Sequence, residues 1–104
     1  MPPEDMASIR VTVDPDLKDL IDGYLAHQRQ AVEQLRSSLQ TKDYATLRGI
    51  GHSMKGSGGG YGFDRITELG AALEQAAKES NDAALSALTH ELASYLDKVV
   101  IVYG

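Results

Sequence analysis

The sequence predicts an all-α protein, an antiparallel up-down-up-down four-helix bundle with a short N-terminal extension. Three observations support this class. Apolar residues recur at spacings of three and four in four segments, short polar connectors with helix-capping residues separate those segments, and no pair of strand-like segments competes with them. Amphipathic helices with short connectors bury their apolar stripes by packing against sequence neighbours. We expect an extension over residues 1–13 and a bundle domain over residues 14–104.

Composition narrows the classes of function. A chain of 104 residues suits one domain, and the lack of cysteine excludes disulfides and thiolate chemistry. The formal charge of −5 disfavours nucleic-acid binding, which needs a basic surface. There is no apolar run of membrane-spanning length and no export signal at the start. We therefore expect a cytoplasmic monomer that binds neither nucleic acid nor membrane.

The first helix is predicted to begin at Asp14 and Pro15. Aspartate caps free amide groups, and proline suits the first helical position because its missing N–H is not needed there. The apolar stripe that follows consists of Leu17, Leu20, Ile21, Tyr24, Gln28, Ala31, Val32, Leu35 and Leu39. A break near Gly23 is an open alternative, which would give five helical pieces around the same core.

Three further helices complete the prediction. The second begins near Asp43, a capping residue, and runs through "RGIGHSMKGSGGGYGF" (residues 48–63). The third follows Phe63 and ends at "KESND" (residues 78–82), whose polar residues also cap the fourth. The fourth carries its apolar stripe from Leu85 as far as Val102, despite the β-branched end.

A helical wheel for the second helix places His52 on the solvent side. With Leu47 at the origin and about 100° per residue, the apolar positions cluster within about 60°, whereas His52 falls near 140°. Arg48 and Lys55 are its helical neighbours. A single exposed histidine is usually an ordinary surface residue, so the glycines beside it carry the functional argument.

Seven of the ten glycines lie between residues 48 and 63, although glycine disfavours a helix interior. Gly49, Gly56 and Gly59 lie on the outward side and are predicted to clear space beside the histidine for a docking partner. Gly58 lies inward, where it lets helices pack closely. The pair Gly60 and Gly62 is expected to serve the turn into the third helix.

The stretch "HSMKGSGGGYGF" resembles the H-x-x-K-G-S-x-x-x-x-G signature of histidine-containing phosphotransfer (HPt) domains of two-component phosphorelays. The resemblance implies that His52 accepts and donates a phosphoryl group, that Lys55 lies beside the phosphate, and that Gly56 gives a receiver domain room to dock. Ser57 matches a small polar position of the signature. Arg48 is added as a phosphate neighbour from the helical wheel alone.

The resemblance implies a phosphocarrier rather than a kinase, without an ATP-binding domain of its own. Its partners would be receiver domains of response regulators or hybrid kinases, and these would supply the magnesium ion that phosphoryl transfer commonly uses. No cofactor or metal site of its own is expected. The alternative is a helical docking module that binds and regulates receiver domains without carrying phosphate.

Other sites with histidine or glycine chemistry are disfavoured. The "KGS" order does not match a P-loop, in which lysine follows the glycine-rich run. "HELAS" at His90 lacks the second histidine of a zinc motif, and His27 stands alone on another helix. We interpret both histidines as residues at the boundary of the buried stripes.

Overall fold

The structure is a computed structural model that describes residues 8–104. Its helices are α1 (Lys18–Gln40), α2 (Tyr44–Ser57), α3 (Asp64–Lys78) and α4 (Asp82–Lys98). Two short strands flank them, β1 (Ile9–Val13) and β2 (Val99–Tyr103), and 3-10 turns lie at Pro15–Leu17 and Gly59–Tyr61. Consecutive helices contact one another, and α1 also contacts α4. The predicted helical bundle is confirmed at this level, and none of the described helices is long and apolar enough to cross a membrane.

The predicted capping residues Asp14, Asp43 and Asn81 accept hydrogen bonds from backbone amides, although the first α-helix begins at Lys18 after a 3-10 turn rather than at Pro15. The Asp14 carboxylate accepts a hydrogen bond from the Asp16 amide at 2.9 Å, and Pro15 opens the 3-10 turn that leads into α1. Asp43 caps α2, and Asn81 caps α4 by accepting from an amide 3.1 Å away. The alternative break near Gly23 is wrong, because α1 continues through this residue.

The core is built from the apolar stripes of all four helices. Its fully buried side chains include Ile21 and Leu35 of α1, Leu47 of α2, Leu73 of α3 and Leu92 of α4. One residue of the predicted α1 stripe is misplaced, since Leu20 is 53% exposed. The side chain of Leu20 projects about 100° away from that of Ile21, which takes the inward position.

Two predictions about the end of the chain are wrong: the fourth helix does not run to Val102, and a pair of strands is present. The fourth helix ends at Lys98, and residues 99–103 form β2, which pairs in parallel with β1. The register joins Ile9 to Val99 and Val13 to Tyr103. The β2 sequence VVIVY consists only of β-branched and aromatic residues, which favour strand over helix. A short apolar run is compatible with the residue period of a helix and with that of a strand, so spacing alone could not distinguish the two structures.

The β1–β2 pair also joins the predicted extension to the bundle. Val13, at its boundary, is 1% exposed and belongs to the hydrophobic core. Residues 1–7 of the extension lie outside the described residues. The division of the chain into residues 1–13 and 14–104 stays a prediction, and β1 shows that residues on both sides of that boundary pack together.

The closest helix packing is between α2 and α3, and it depends on glycine. A Cβ atom on Gly58 would lie 2.6 Å from the Thr67 amide nitrogen, so the predicted inward role of Gly58 is confirmed. A Cβ on Gly51 would lie 2.7 Å from the Glu74 nitrogen, and one on Gly70 would lie 2.5 Å from the Lys55 nitrogen. Backbone atoms cannot move aside as side chains can, so these glycines set the distance between the helices.

The stretch after α2 is a turn. The second helix was predicted to run to residue 63, but α2 ends at Ser57 and a 3-10 turn follows. Gly62 ends this turn with a φ of 92°, a left-handed conformation that glycine adopts without strain. The expectation that Gly60 and Gly62 serve the turn into the third helix is therefore confirmed.

Candidate functional site

His52 projects from the solvent face of α2. Its side chain is 69% exposed, as the helical wheel predicted. The opposite face of α2 holds it in place, because Leu47 and Met54 are buried at 0% and 2% exposure. The histidine therefore stands on a rigid element whose orientation is set by the core.

A carboxylate from α3 binds both His52 and Lys55, the two predicted site residues of α2. Glu74 Oε2 lies 3.0 Å from His52 Nδ1, and Glu74 Oε1 lies 2.8 Å from Lys55 Nζ. The Glu74 side chain is only 10% exposed, whereas that of Lys55 is 44% exposed. One carboxylate thus accepts from two donors that are one helical turn apart.

The surroundings of Glu74 keep it ionised. Its hydrogen bond with the Lys55 ammonium lowers the pKa most, burial opposes this, and the hydrogen bond with His52 lowers the pKa further, so the net direction is downward. An ionised carboxylate can only accept hydrogen bonds. His52 Nδ1 must therefore carry its hydrogen, which leaves the lone pair of a neutral imidazole on Nε2.

The glycine contact between the helices brings this carboxylate to the site. Gly70 lies one turn before Glu74 on α3 and meets the backbone of α2 at Gly51 and Lys55. A larger residue at Gly51 or Gly70 would push α3 away from α2 and carry Glu74 with it. The geometry of the site is thus a direct consequence of close helix packing.

The other predicted site residues surround His52 to different degrees. Arg48 and Gly49 line a shallow depression together with His52 and Glu74. A Cβ on Gly49 or Gly56 would meet nothing within 4 Å, so both glycines leave open space on the outward side. Gly59 is exposed but lies in the turn after α2, where its amide donates to Thr67 Oγ1 at 2.8 Å. The wheel position predicted for it therefore does not apply.

Ser57 lies in a cluster with three aromatic residues, Tyr24, Tyr61 and Phe63. The Ser57 and Tyr24 hydroxyls lie 3.2 Å apart. The Tyr24 ring stacks on Tyr61 and Phe63, with centroid distances of 4.3 and 5.6 Å. The small polar residue of the signature therefore joins α1 to the end of α2.

Metal-ligating side chains do not cluster in the part of the chain that the structure describes. No group of three or more His, Cys, Asp or Glu residues comes together there. His27 and His90 are exposed and lie on different helices. Within residues 8–104, Glu74 is the one acidic residue that lines the depression around His52, and its carboxylate already pairs with His52 and Lys55.

The residue that sequence reasoning missed is Glu74. It directly follows Leu73 on the buried side of α3, where an acid is unexpected. The available signal was an acid on an apolar helix face, one turn after Gly70. Reading this signal requires knowing that α3 packs against the histidine helix, and the sequence does not give that partner directly.

Comparison with known proteins gives one result. Neither the curated proteins nor the solved structures contain a match to this chain. A family model, described as the Hpt domain, matches residues 19–100, which include all four helices except Lys18, the first residue of α1.

Proposed function

This chain belongs to the Hpt domain family, and we propose that it carries a phosphoryl group on His52 between two receiver domains of a two-component phosphorelay. The family implies phosphotransfer in two-component signalling. The observation that carries the specific role is the hydrogen bond of an exposed His52 to the buried carboxylate of Glu74. That bond orients the ring and leaves Nε2 as the nucleophile.

In the proposed forward step, Nε2 of His52 attacks the phosphorus of an aspartyl phosphate on the receiver. The N–P bond forms while the P–O bond to the aspartate breaks, and the bonding pair leaves with the carboxylate. No proton needs to move, because Nδ1 keeps its hydrogen. The phosphorylated ring is cationic, and the Glu74 carboxylate at 3.0 Å balances that charge. Transfer to a second receiver reverses these events.

Lys55 is proposed to stabilise the phosphoryl group. In the unphosphorylated protein its ammonium pairs with Glu74 at 2.8 Å, on the side chain that also holds His52. A phosphoryl dianion on His52 carries more negative charge than the Glu74 carboxylate, so it attracts the same ammonium more strongly. Because Lys55 is 44% exposed, its side chain has room to turn from the carboxylate to the phosphate.

The surface around His52 suits a protein partner. Arg48 lies in the same depression and is proposed as a second phosphate neighbour. Gly49 and Gly56 leave open space in which a receiver can approach. Gly59 lies beyond this face, in the exposed turn after α2, and its part in docking stays a proposal. The receiver would supply the acidic pocket and its magnesium ion, as the family resemblance implies.

We further infer that the helices alternate in direction, as an up-down-up-down bundle requires. The contacts of α2 with α3 support this for one pair, because Gly51 meets Glu74 whereas Gly58 meets Thr67. The contact positions thus ascend along one helix and descend along the other. Monomeric state and cytoplasmic location stay predictions.

The decisive experiment is phosphoryl uptake from radiolabelled receivers. Wild-type protein is incubated with a panel of phosphorylated receiver domains from the same genome, and the label is tested for stability in acid and alkali. We expect acid-labile, alkali-stable label, as a phosphoramidate gives. His52→Gln should take up none, while its unfolding free energy stays within about 0.5 kcal/mol of wild type, as for a surface substitution.

Two controls make the result specific. His27→Gln and His90→Gln remove the other exposed histidines and should be labelled like wild type. A wild-type chain that binds receivers but takes up no label would contradict the carrier role and leave the docking module as the function. A large loss of stability in His52→Gln would contradict the exposed position of the ring.

A further inference from the structure

The small sheet formed by β1 and β2 is covered at the outer edge of β1. The Val13 carbonyl accepts a hydrogen bond from the Gly104 amide at 3.2 Å, so it points toward the β2 side of the sheet. Carbonyl groups alternate in direction along a strand, so that of Thr12 points away from β2. It faces the turn after α2, where a Cβ atom on Gly62 would lie 3.5 Å from the Thr12 oxygen. That turn therefore occupies the end of this edge.

The outer edge of β2 is open. Within residues 8–104 the sheet has two strands, and the extensive contacts of β2 are with β1. By the same alternation, Ile101 and Tyr103 direct their N–H and C=O groups to the outer edge, and Val99 directs its C=O group there. The Val99 N–H is already bound to the Tyr95 carbonyl of α4. Strand edges of this kind are templates for pairing with another strand.

The side chains of β2 also favour pairing. Val100 and Val102 lie on the outer face of the sheet and are 45% and 40% exposed. The strand sequence VVIVY contains no charged residue and no proline, although natural sheets commonly use both to block an open edge. The edge of β2 therefore has the properties of a pairing surface.

A second copy of β2 complements this edge when the two strands run antiparallel. A two-fold axis at Ile101 would place Val100 opposite Val102 of the second copy, and Val99 opposite Tyr103 of the second copy. Residues directly opposite one another lie on the same face, so the exposed valines would cover one another and no charged side chains would meet.

The backbone groups match in the same register. Ile101 would exchange two hydrogen bonds with its counterpart, because both residues direct their N–H and C=O groups outward. Each Tyr103 N–H would reach the Val99 carbonyl of the other copy. Pairing would therefore satisfy backbone groups of both strands without using the Val99 N–H, which α4 already holds.

Helix α4 favours the antiparallel direction. It leads directly into β2, since Lys98 ends the helix and Val99 begins the strand. In a parallel pair the two α4 ends would lie about 4.8 Å apart, which is less than the roughly 8–10 Å between the axes of packed helices. In an antiparallel pair they lie at opposite ends of the strands, about 17 Å apart for five residues.

We propose that this protein forms a two-fold dimer in which the β2 strands of two copies pair antiparallel, giving one four-stranded sheet. A sheet of four strands is more stable than one of two. The strand does not line the depression around His52, so the inference does not rest on the proposed function. It replaces the expectation of a monomer, and the experiment below decides between the two states.

Sedimentation equilibrium of the full chain measures the association. A five-residue edge is a small interface, and small interfaces bind weakly. The average mass should rise from that of one chain toward that of two as the concentration increases to about 1 mM. A mass that stays at that of one chain over this range would refute the dimer.

Charge reversal tests the register. In the double variant Val100→Lys with Val102→Lys, each lysine would face a lysine of the second copy, so the association constant should fall about tenfold or more. The substitution moves the formal charge of −5 closer to zero, which alone would favour association. Val100→Glu with Val102→Glu should also stay monomeric. A mixture of the two double variants should form heterodimers, measured by native mass spectrometry.

Leu20→Lys is the matched control. Leu20 is 53% exposed and lies on α1, outside the sheet, so this variant should dimerise like wild type. Pairing through β2 is refuted if Leu20→Lys abolishes association, if the double lysine variant still associates like wild type, or if the mixed variants form no heterodimer.

Hydrogen exchange of the wild-type chain tests the same contact without substitutions. The Ile101 and Tyr103 amides should exchange more slowly as the protein concentration rises, because pairing gives them hydrogen-bond acceptors. The Val100 and Val102 amides, which point toward β1, should change less. Ile101 exchange that is independent of concentration would refute the proposal even if the substituted chains do not fold.

Discussion

The two sides of α2 use glycine for opposite purposes. On the side that faces α3, a Cβ atom on Gly51, or on Gly58 directly after the helix, would lie 2.6 to 2.7 Å from a backbone nitrogen. On the outward side, a Cβ on Gly49 or Gly56 would meet nothing within 4 Å. The inner glycines are required by the fold. The outer glycines destabilise the helix, and no close contact between helices offsets this loss.

This difference shows how the site is assembled. The inner glycines allow α3 to approach closely enough for Glu74 to reach His52 and Lys55. The outer glycines leave the same histidine accessible. Removing space on one side should therefore damage the fold and the site together, while removing space on the other should hinder the approach of a partner without damaging the fold.

The largest effect is expected from Gly51→Ala. The new methyl group would overlap the backbone of α3, and such overpacking should lower the free energy of unfolding by about 3 kcal/mol. Urea denaturation measures this loss, and Gly49→Ala, two residues away on the same helix, is the control. Wild-type stability in Gly51→Ala would show that glycine does not set the distance between the helices.

The next largest loss of stability is expected at Glu74, the carboxylate that close packing of α2 against α3 brings to His52 and Lys55. Glu74→Gln keeps the size of the side chain but loses its charge, so at neutral pH it should lower the unfolding free energy, because the Lys55 ammonium and the His52 ring lose their charged acceptor. Denaturation is measured at several pH values. Glu68→Gln, on an exposed carboxylate of the same helix, should change stability by less than about 0.5 kcal/mol.

The pH dependence of that difference has a defined sign. The pKa of Glu74 is lower in the folded protein, so its contribution is present above the pKa of the unfolded chain. It should disappear as the pH falls below about 4 and through the folded pKa, where the glutamate becomes neutral. A difference between wild type and Glu74→Gln that does not shrink in acid would contradict an ionised Glu74.

The smallest expected change in the unfolding free energy is an increase, at Gly56. Gly56→Ala lies on the outer side, where the methyl group meets no other atom, so helix propensity should raise the unfolding free energy by about 0.5–1 kcal/mol. The same variant should be labelled more slowly by receivers than wild type is. A stabilised variant with unchanged transfer would show that the open space at Gly56 is not used for docking.

Predictability from sequence depended on whether a feature was local. The outward position of His52 follows from the helical period around Leu47 and Met54, and the caps at Asp14, Asp43 and Asn81 follow from residue chemistry. These features need no knowledge of a neighbouring element.

The features that the sequence did not predict depend on contacts between two separate elements of the fold. Glu74 is a site residue only because Gly51 and Gly70 bring α2 and α3 together. The segment from Val99 to Tyr103 is a strand only because β1 is available to pair with it across the whole length of the chain. A single sequence records the residues of such a pair but not their contact.

The parallel pairing of β1 with β2 has a mechanical consequence. Tension applied to the chain before Ile9 and after Tyr103 would pull the two strands in opposite directions along their length. The five residue pairs between them would then be loaded in shear, all at once, rather than peeled apart one by one. The helices would stay shielded from an external pull until that small sheet ruptured.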